Sequence, residues 1–279
     1  MNCYGINLWN WISRLEETDV PLIRKVSAFG FTAVELPMTS ASFDKMDEVM
    51  EAAKEENLAL TFCLCMPMER DISGDDEAAR ARAIQYFNDC LDTAGKYGVT
   101  TLSGAFYGGV GKRHFLPEQD KQREWDYAVQ GIRIMAEKAK ERAVFLGMEP
   151  LNRYRTSIVN TVNQAFKMID DAGVDNVGIL FDTYQANIEE TDVPQALEKI
   201  LQQGKLTHFH ASANNRGAPG TGHIPWESLA ALLKRYSYTG HITMETFCSK
   251  GPDPSFYPLA ETQDLLAQTG IKNLKRIFS

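Results

Sequence analysis

The chain has 279 residues, and its 29 Lys plus Arg against 37 Asp plus Glu leave a formal charge of −8. So acidic a balance offers little attraction to a phosphate backbone and argues against a nucleic-acid partner. With 44% hydrophobic and 24% charged residues the chain can bury a core, and no run of about 18 apolar residues marks a membrane span.

In chain order, the first apolar run covers 4–8 and leads into Trp9-Asn10-Trp11 rather than a glycine-rich turn. Asp19, with Pro21 two residues on, has the form of a helix start. The runs 32–36, 59–63 and 100–105 follow, with Gly30 and Gly98 just before two of them, where a helix ends most cheaply in the left-handed region. A long loop is expected at 107–121. Beyond it Trp125, Ala128, Ile132, Met135 and Ala139 recur at three and four residues and make one apolar helical face. The runs 144–149 and 177–182 come next, the second after Gly173, then a helix opened by Asp192 and Pro194. The run 206–210 follows Gly204, and a second long loop covers 211–223. Ile224-Pro225-Trp226 starts a further helix, and Gly240 precedes the last run, 241–246.

Eight β-branched runs alternating with amphipathic stretches imply parallel strands joined by right-handed crossovers. At about 35 residues per unit, the length suits a closed (β/α)8 barrel, a TIM barrel, better than an open nucleotide-binding sheet. No composition shift marks a boundary, so residues 1–279 are expected to form one domain. The five cysteines are scattered, no leader-like segment opens the chain, and the expected setting is the reducing cytoplasm.

In such a barrel the site forms at the carboxyl ends of the strands. Four consecutive runs end in residues of metal-ligand type: Glu149, Asp182, His210 and Glu245, spaced by 33, 28 and 35 residues, one strand-helix unit each. One aspartate ending a strand is commonly a helix cap. Three carboxylates gathered together would cost several kcal/mol each without a cation. The set is oxygen-rich and suits Mn²⁺, Mg²⁺ or Co²⁺ more than a structural zinc. His208 shares the parity of His210 and is expected to support it. Trp9, Trp11, Phe106, Tyr107 and Trp226 are candidates for an apolar pocket wall or for core.

The segments Glu149-Pro150-Leu151-Asn152-Arg153-Tyr154, Phe181-Asp182-Thr183-Tyr184, His208-Phe209-His210-Ala211-Ser212 with Asn215-Arg216-Gly217, and Met244-Glu245-Thr246-Phe247 resemble the ketose 3-epimerases of the xylose-isomerase-like barrels. The resemblance spans nearly the whole chain. It implies a Mn²⁺- or Co²⁺-dependent enzyme, a homodimer or homotetramer, that epimerises free ketoses. It implies Glu149, Asp182, His210 and Glu245 as metal ligands, and Glu149 and Glu245 as the acid/base pair. Arg216 matches the arginine at the substrate oxygen near the carbonyl, and Cys63 matches a residue near the first carbon.

Three positions depart from the family pattern: Arg155 and Ala213 stand where glutamates are usual, and Gln185 where histidine is usual. Gln185 can donate a hydrogen bond but cannot act as an acid. Arg155, with Arg153 and Arg216, could receive a carboxylate or phosphate. The expectation is therefore a metal-dependent sugar epimerase or isomerase with an altered substrate shell, acting on a ketose, a phosphorylated ketose or a keto sugar acid. The alternative is a barrel that binds metal and sugar without turnover. A metallo-endonuclease conflicts with the acidic balance.

Overall fold

A computed structural model describes residues 3–279, and the eight apolar runs become eight parallel strands: β1 (Cys3–Asn7), β2 (Ala33–Pro37), β3 (Ala59–Cys65), β4 (Thr101–Ala105), β5 (Phe145–Met148), β6 (Val177–Asp182), β7 (Leu206–Ala211) and β8 (His241–Met244). They pair in sequence order and close through β1 with β8, where Cys3, Tyr4, Gly5 and Ile6 stand beside His241, Ile242, Thr243 and Met244. A (β/α)8 barrel results. Among the described residues no helix is long and apolar enough to cross a membrane.

Helix starts follow the sequence signals. Asp19 accepts a hydrogen bond from Leu22 N and opens Val20–Ala28, and Asp192 accepts one from Gln195 N and opens Val193–Gln202. In Glu118–Glu141 the residues Ala128, Ile132, Met135 and Ala139 are buried against the core. That helix begins inside the loop expected at 107–121, because Pro117 starts it early. Gly98 and Gly173 end their helices at φ 67° and 66°, as expected. Gly240 does not act this way. The helix Trp226–Arg235 stops sooner, with Ser237 taking the positive φ, and a Cβ on Gly240 would lie 2.4 Å from the Tyr238 hydroxyl oxygen.

The middle of the barrel is lined by small groups. A Cβ on Gly5 would lie 2.6 Å from Thr243 Oγ1, and one on Gly147 would lie 2.4 Å from Ser103 Oγ. Gly104 has φ 128°, and a Cβ there would meet the Leu64 carbonyl oxygen. These small residues leave the barrel axis to larger polar side chains from β2, β7 and β8. Above them, at the carboxyl ends, long segments follow β3, β4, β5, β7 and β8. The run expected at 241–246 ends as a strand at Met244, and the segment 248–262 beyond it has neither a helical nor a strand period to announce it.

Candidate active site

Glu149 and Glu245 each follow the last residue of a strand, Asp182 ends β6, and His210 lies near the end of β7. The backbone anchors them to neighbouring strands: Glu149 N donates to Gly104 O, and Glu245 N donates to Ala211 O. Ser212 joins three strands at this rim. Its N–H donates to Thr183 Oγ1 at 2.9 Å and its hydroxyl to the Glu245 carbonyl at 2.8 Å. All four side chains are buried, and one ligand atom from each lies within 4.8 Å of the others. The tertiary structure thus gathers all four of the expected ligand residues.

Asp182 caps a helix with one oxygen and turns the other to an arginine. Oδ1 accepts from Tyr184 N at 2.6 Å, capping the helix Thr183–Glu189, while Oδ2 accepts from Arg216 Nη1 at 2.7 Å. Arg216 Nη1 also donates to Glu245 Oε2 at 3.0 Å, and its other donors reach Asp253. The guanidinium lies 3.9 Å from the Tyr184 ring centroid, and the backbone takes φ 63° to place it there.

Sequence reasoning missed Glu35, on β2. It is fully buried, and its Oε2 lies 2.7 Å from His210 Nε2 while its Oε1 lies 2.9 Å from His208 Nε2. Asn7 and Thr61 donate to the same carboxylate. With Nε2 turned to Glu35, the other ring nitrogen of His210 faces the cluster, 3.4 Å from Glu245 Oε1, and makes no hydrogen bond. His208 therefore lies against the same glutamate as His210, in close contact but without a well-aligned hydrogen bond. The available signal was a lone glutamate inside an apolar run, Ala33-Val34-Glu35-Leu36.

The electrostatics separate the two glutamates proposed as bases. Burial, then Glu245 and Asp182, hold the Glu149 carboxyl well above the usual carboxylate range. Burial also pushes Glu245 up, but His210 and Arg216 outweigh it and keep it below that range. Among these side chains alone, Glu149 therefore leans to its acid form and Glu245 to its base form. Burial pushes His210 down, yet Glu35 and Glu245 prevail and raise it well above an ordinary imidazole.

A cavity of about 360 Å³ opens above the cluster, a size typical of small-molecule sites. Glu149, Glu245, Arg216, Gln185, Cys63 and Arg155 all line it. Gln185 Oε1 accepts from both Asn152 N–H groups at 2.9 and 2.6 Å, which leaves its amide nitrogen for the cavity. Burial and Glu35 push the Cys63 thiol up, so it is a neutral thiol here. Arg155 donates to Pro252 O at 2.8 Å and lies 3.8 Å from Asp253 Oδ1. Arg153 turns away from the cavity to pair with Glu189, so it does not join an anion site there. Ala213 is buried and off the cavity wall, where its N–H donates to Gly217 O. Of the aromatic candidates, Trp9 lines the cavity; Trp11 packs on Phe29, and Phe106, Tyr107 and Trp226 are core. Tyr107 still serves the rim, since its hydroxyl donates to the Glu149 carbonyl at 3.0 Å.

The donor set fits a divalent cation. Three buried carboxylates face one arginine and one histidine, the His210 nitrogen pointing at them has no hydrogen-bond partner, and the oxygen-rich set suits a hard ion.

A family model described as a xylose isomerase-like TIM barrel matches residues 23–277. A D-psicose 3-epimerase of Enterocloster bolteae is 32% identical over 253 residues, 89% of this chain and 83% of that protein. A ketose 3-epimerase of Arthrobacter globiformis is 30% identical over 91% of this chain and 86% of its own length. Among solved structures, the D-psicose 3-epimerase of Clostridium cellulolyticum H10 with D-tagatose is 25% identical and superposes with a TM-score of 0.90, covering 100% of both chains.

Proposed function

We propose, for a chain that belongs to the xylose-isomerase-like TIM-barrel family and within it to the ketose 3-epimerases, that it inverts a ketose next to its carbonyl with the help of a divalent metal, Mn²⁺ first among Mg²⁺ and Co²⁺. The observation that carries the reading is the pair Glu149 and Glu245, buried together beside Asp182 and His210 at the floor of a sugar-sized cavity. Glu149, Asp182, His210 and Glu245 would hold the cation. When bound, it polarises the carbonyl and offsets the negative charge of the enediolate.

The chain's own groups supply the rest. Glu245, ionised, removes the proton next to the carbonyl. Glu149 returns one from the other side. Two opposed groups give inversion, whereas one base tends to restore the original configuration. Arg216 orients the substrate oxygen near the carbonyl, Gln185 offers its amide N–H, Cys63 lines the wall near the end of β3, and Arg155 stands at the cavity's edge. Neither Gln185 nor Ala213 belongs to the proton-transfer pair, so these departures are compatible with turnover. A single domain over residues 1–279, a homodimer or homotetramer, and a cytoplasmic setting complete the proposal.

The test is exchange of the substrate's alpha hydrogen in deuterated water with Mn²⁺, using a panel of ketoses, ketose phosphates and keto sugar acids. Exchange should vanish on chelation and fall at least about a thousandfold in Glu245→Gln, and formation of the inverted product should fall as far in Glu149→Gln, where one remaining base can still exchange without inverting. No exchange with any sugar would assign the chain to metal- and sugar-binding barrels without turnover. Persistent exchange in Glu245→Gln, or undiminished inversion in Glu149→Gln, would remove that glutamate from its role.

A further inference from the structure

We propose that Arg70 determines substrate specificity by receiving an oxyanion, a phosphate ester or a carboxylate, at the end of the substrate away from its carbonyl. The inference rests on the epimerase reading for its substrate class. Three arginines line the cavity: Arg70, Arg155 and Arg216. Arg216 is committed to Asp182, Glu245 and Asp253. Arg155 shares Asp253 and the Pro252 carbonyl. Arg70 has no carboxylate within ion-pair distance among the described residues, and the neighbour its guanidinium meets is Tyr86, through the ring and the hydroxyl.

The group is nevertheless held in place. Its guanidinium carbon lies 3.7 Å from the centroid of the Tyr86 ring, and Tyr86 is itself fixed, its hydroxyl donating to the Met38 carbonyl. One face of the guanidinium and one donor are spent on Tyr86, which leaves the remaining N–H donors for a ligand. The backbone is fixed on both sides. Arg70 N donates to Pro67 O, and Arg82 Nε donates to Glu69 O, tying the short helix Met68–Arg70 to the helix Glu77–Tyr97. On the other side Asp71 accepts from Gly109 N and pairs with the buried Lys112. Val110, on the cavity wall, donates from its N–H to Met66 O, and Gly111 N donates to Arg155 O, so the same strip joins Arg70 to Arg155. Tyr86, Met38 and Thr39 give this side of the cavity an otherwise uncharged wall. A guanidinium so placed and so little neutralised suits an anion better than a hydroxyl.

The experiment compares kcat/KM for a 2-ketohexose, its 6-phosphate and its 6-carboxylate in the Mn²⁺-loaded enzyme, in Arg70→Met, Arg70→Lys and Arg155→Gln. The wild type should prefer at least one anion. In Arg70→Met that ratio of anionic to neutral substrate should fall roughly ten- to a hundredfold, mostly through KM, with partial rescue in Arg70→Lys. A preference for the phosphate alone or the carboxylate alone names the ligand's source. The inference is overturned if the wild type shows no preference, if Arg70→Met lowers all three substrates by one factor, or if the preference is lost only in Arg155→Gln. Calorimetric binding of the same three compounds separates the two readings. Tighter Arg70-dependent binding of an anion without turnover retains this inference and discards the epimerase, and equal binding discards the inference.

Discussion

At the residue scale, the site's least conspicuous member is Glu35. It accepts from Asn7 and Thr61 and contacts both histidines, so it joins β1, β2, β3 and β7 through one carboxylate. Burial alone would favour its neutral form, but His210 and His208 hold it well below the usual range. Its contact with His210 Nε2 selects the ring nitrogen that faces the three other carboxylates, the support that metal-bound imidazoles generally need. Glu35→Gln keeps the shape and removes the charge. It should weaken Mn²⁺ affinity about ten- to a hundredfold, read by titration calorimetry, while the far-ultraviolet circular dichroism stays that of the wild type. Unchanged affinity would show that Glu35 serves the barrel and not the cation site. Glu35 illustrates a limit of residue-level reading. Asp182 and Glu245 were recognisable because they end apolar runs, whereas Glu35 sits mid-run, and only the convergence of four strands reveals what neutralises it.

At the scale of elements, the segment after β4 owes its path to one buried cation. Lys112 Nζ lies 2.7 Å from Asp71 Oδ2 and 2.7 Å from Glu124 Oε1, and it donates to Ser73 Oγ at 2.9 Å. Its side chain is 4% exposed, so these contacts are little screened. They connect the turn after β3 to the helix Glu118–Glu141, and through Gly109 and Gly111 they set the backbone beside Arg155. Lys112→Met leaves the buried Asp71 carboxylate without its cation and the partly exposed Glu124 with His114 alone. It should cost about 3–5 kcal/mol in urea unfolding; a loss below about 1 kcal/mol would mean that the acids relax to solvent or take up protons. The helices themselves were largely legible, because caps such as Asp19 and Asp192 act on the next turn of chain. The loops were less so. The one after β8 supplies Phe247, Pro252 and Asp253 to the cavity, yet no local period announces it.

At the scale of the whole molecule, closing the barrel places titratable groups along its axis, and stability should depend on pH accordingly. His241, at the start of β8, faces His208 at 6.0 Å between ring centroids. Burial, with His208 adding to it, lowers the His241 imidazole from 6.5 to about 4. Above pH 6.5 the group is neutral in both the folded and unfolded chain and contributes nothing to the difference. As the pH falls from 6.5 towards 4, the unfolded chain binds a proton that the folded one refuses, so stability is lost at about 1.4 kcal/mol per unit, on the order of 3 kcal/mol in all. His241→Gln should lose correspondingly less stability than the wild type between pH 7 and pH 4.5, measured by urea midpoints. Parallel losses would assign the acid sensitivity to other groups.

What the sequence by itself determined is the repeating unit: eight apolar runs, the caps between them, and four strand ends bearing Glu149, Asp182, His210 and Glu245 at one-unit spacing. These depend on local periodicity and on a fold rule that sends strand ends to one rim. The tertiary structure alone decided which charges meet. Arg153 and Arg155 are two residues apart, yet one pairs with Glu189 outside the cavity and the other lines it beside Asp253, nearly a hundred residues away in the chain. Glu35 finds His210, and Arg70 is left without a carboxylate among the described residues, for the same reason. Pairing energies depend on distances of a few ångströms, and those are set by barrel closure and loop path rather than by position along the chain.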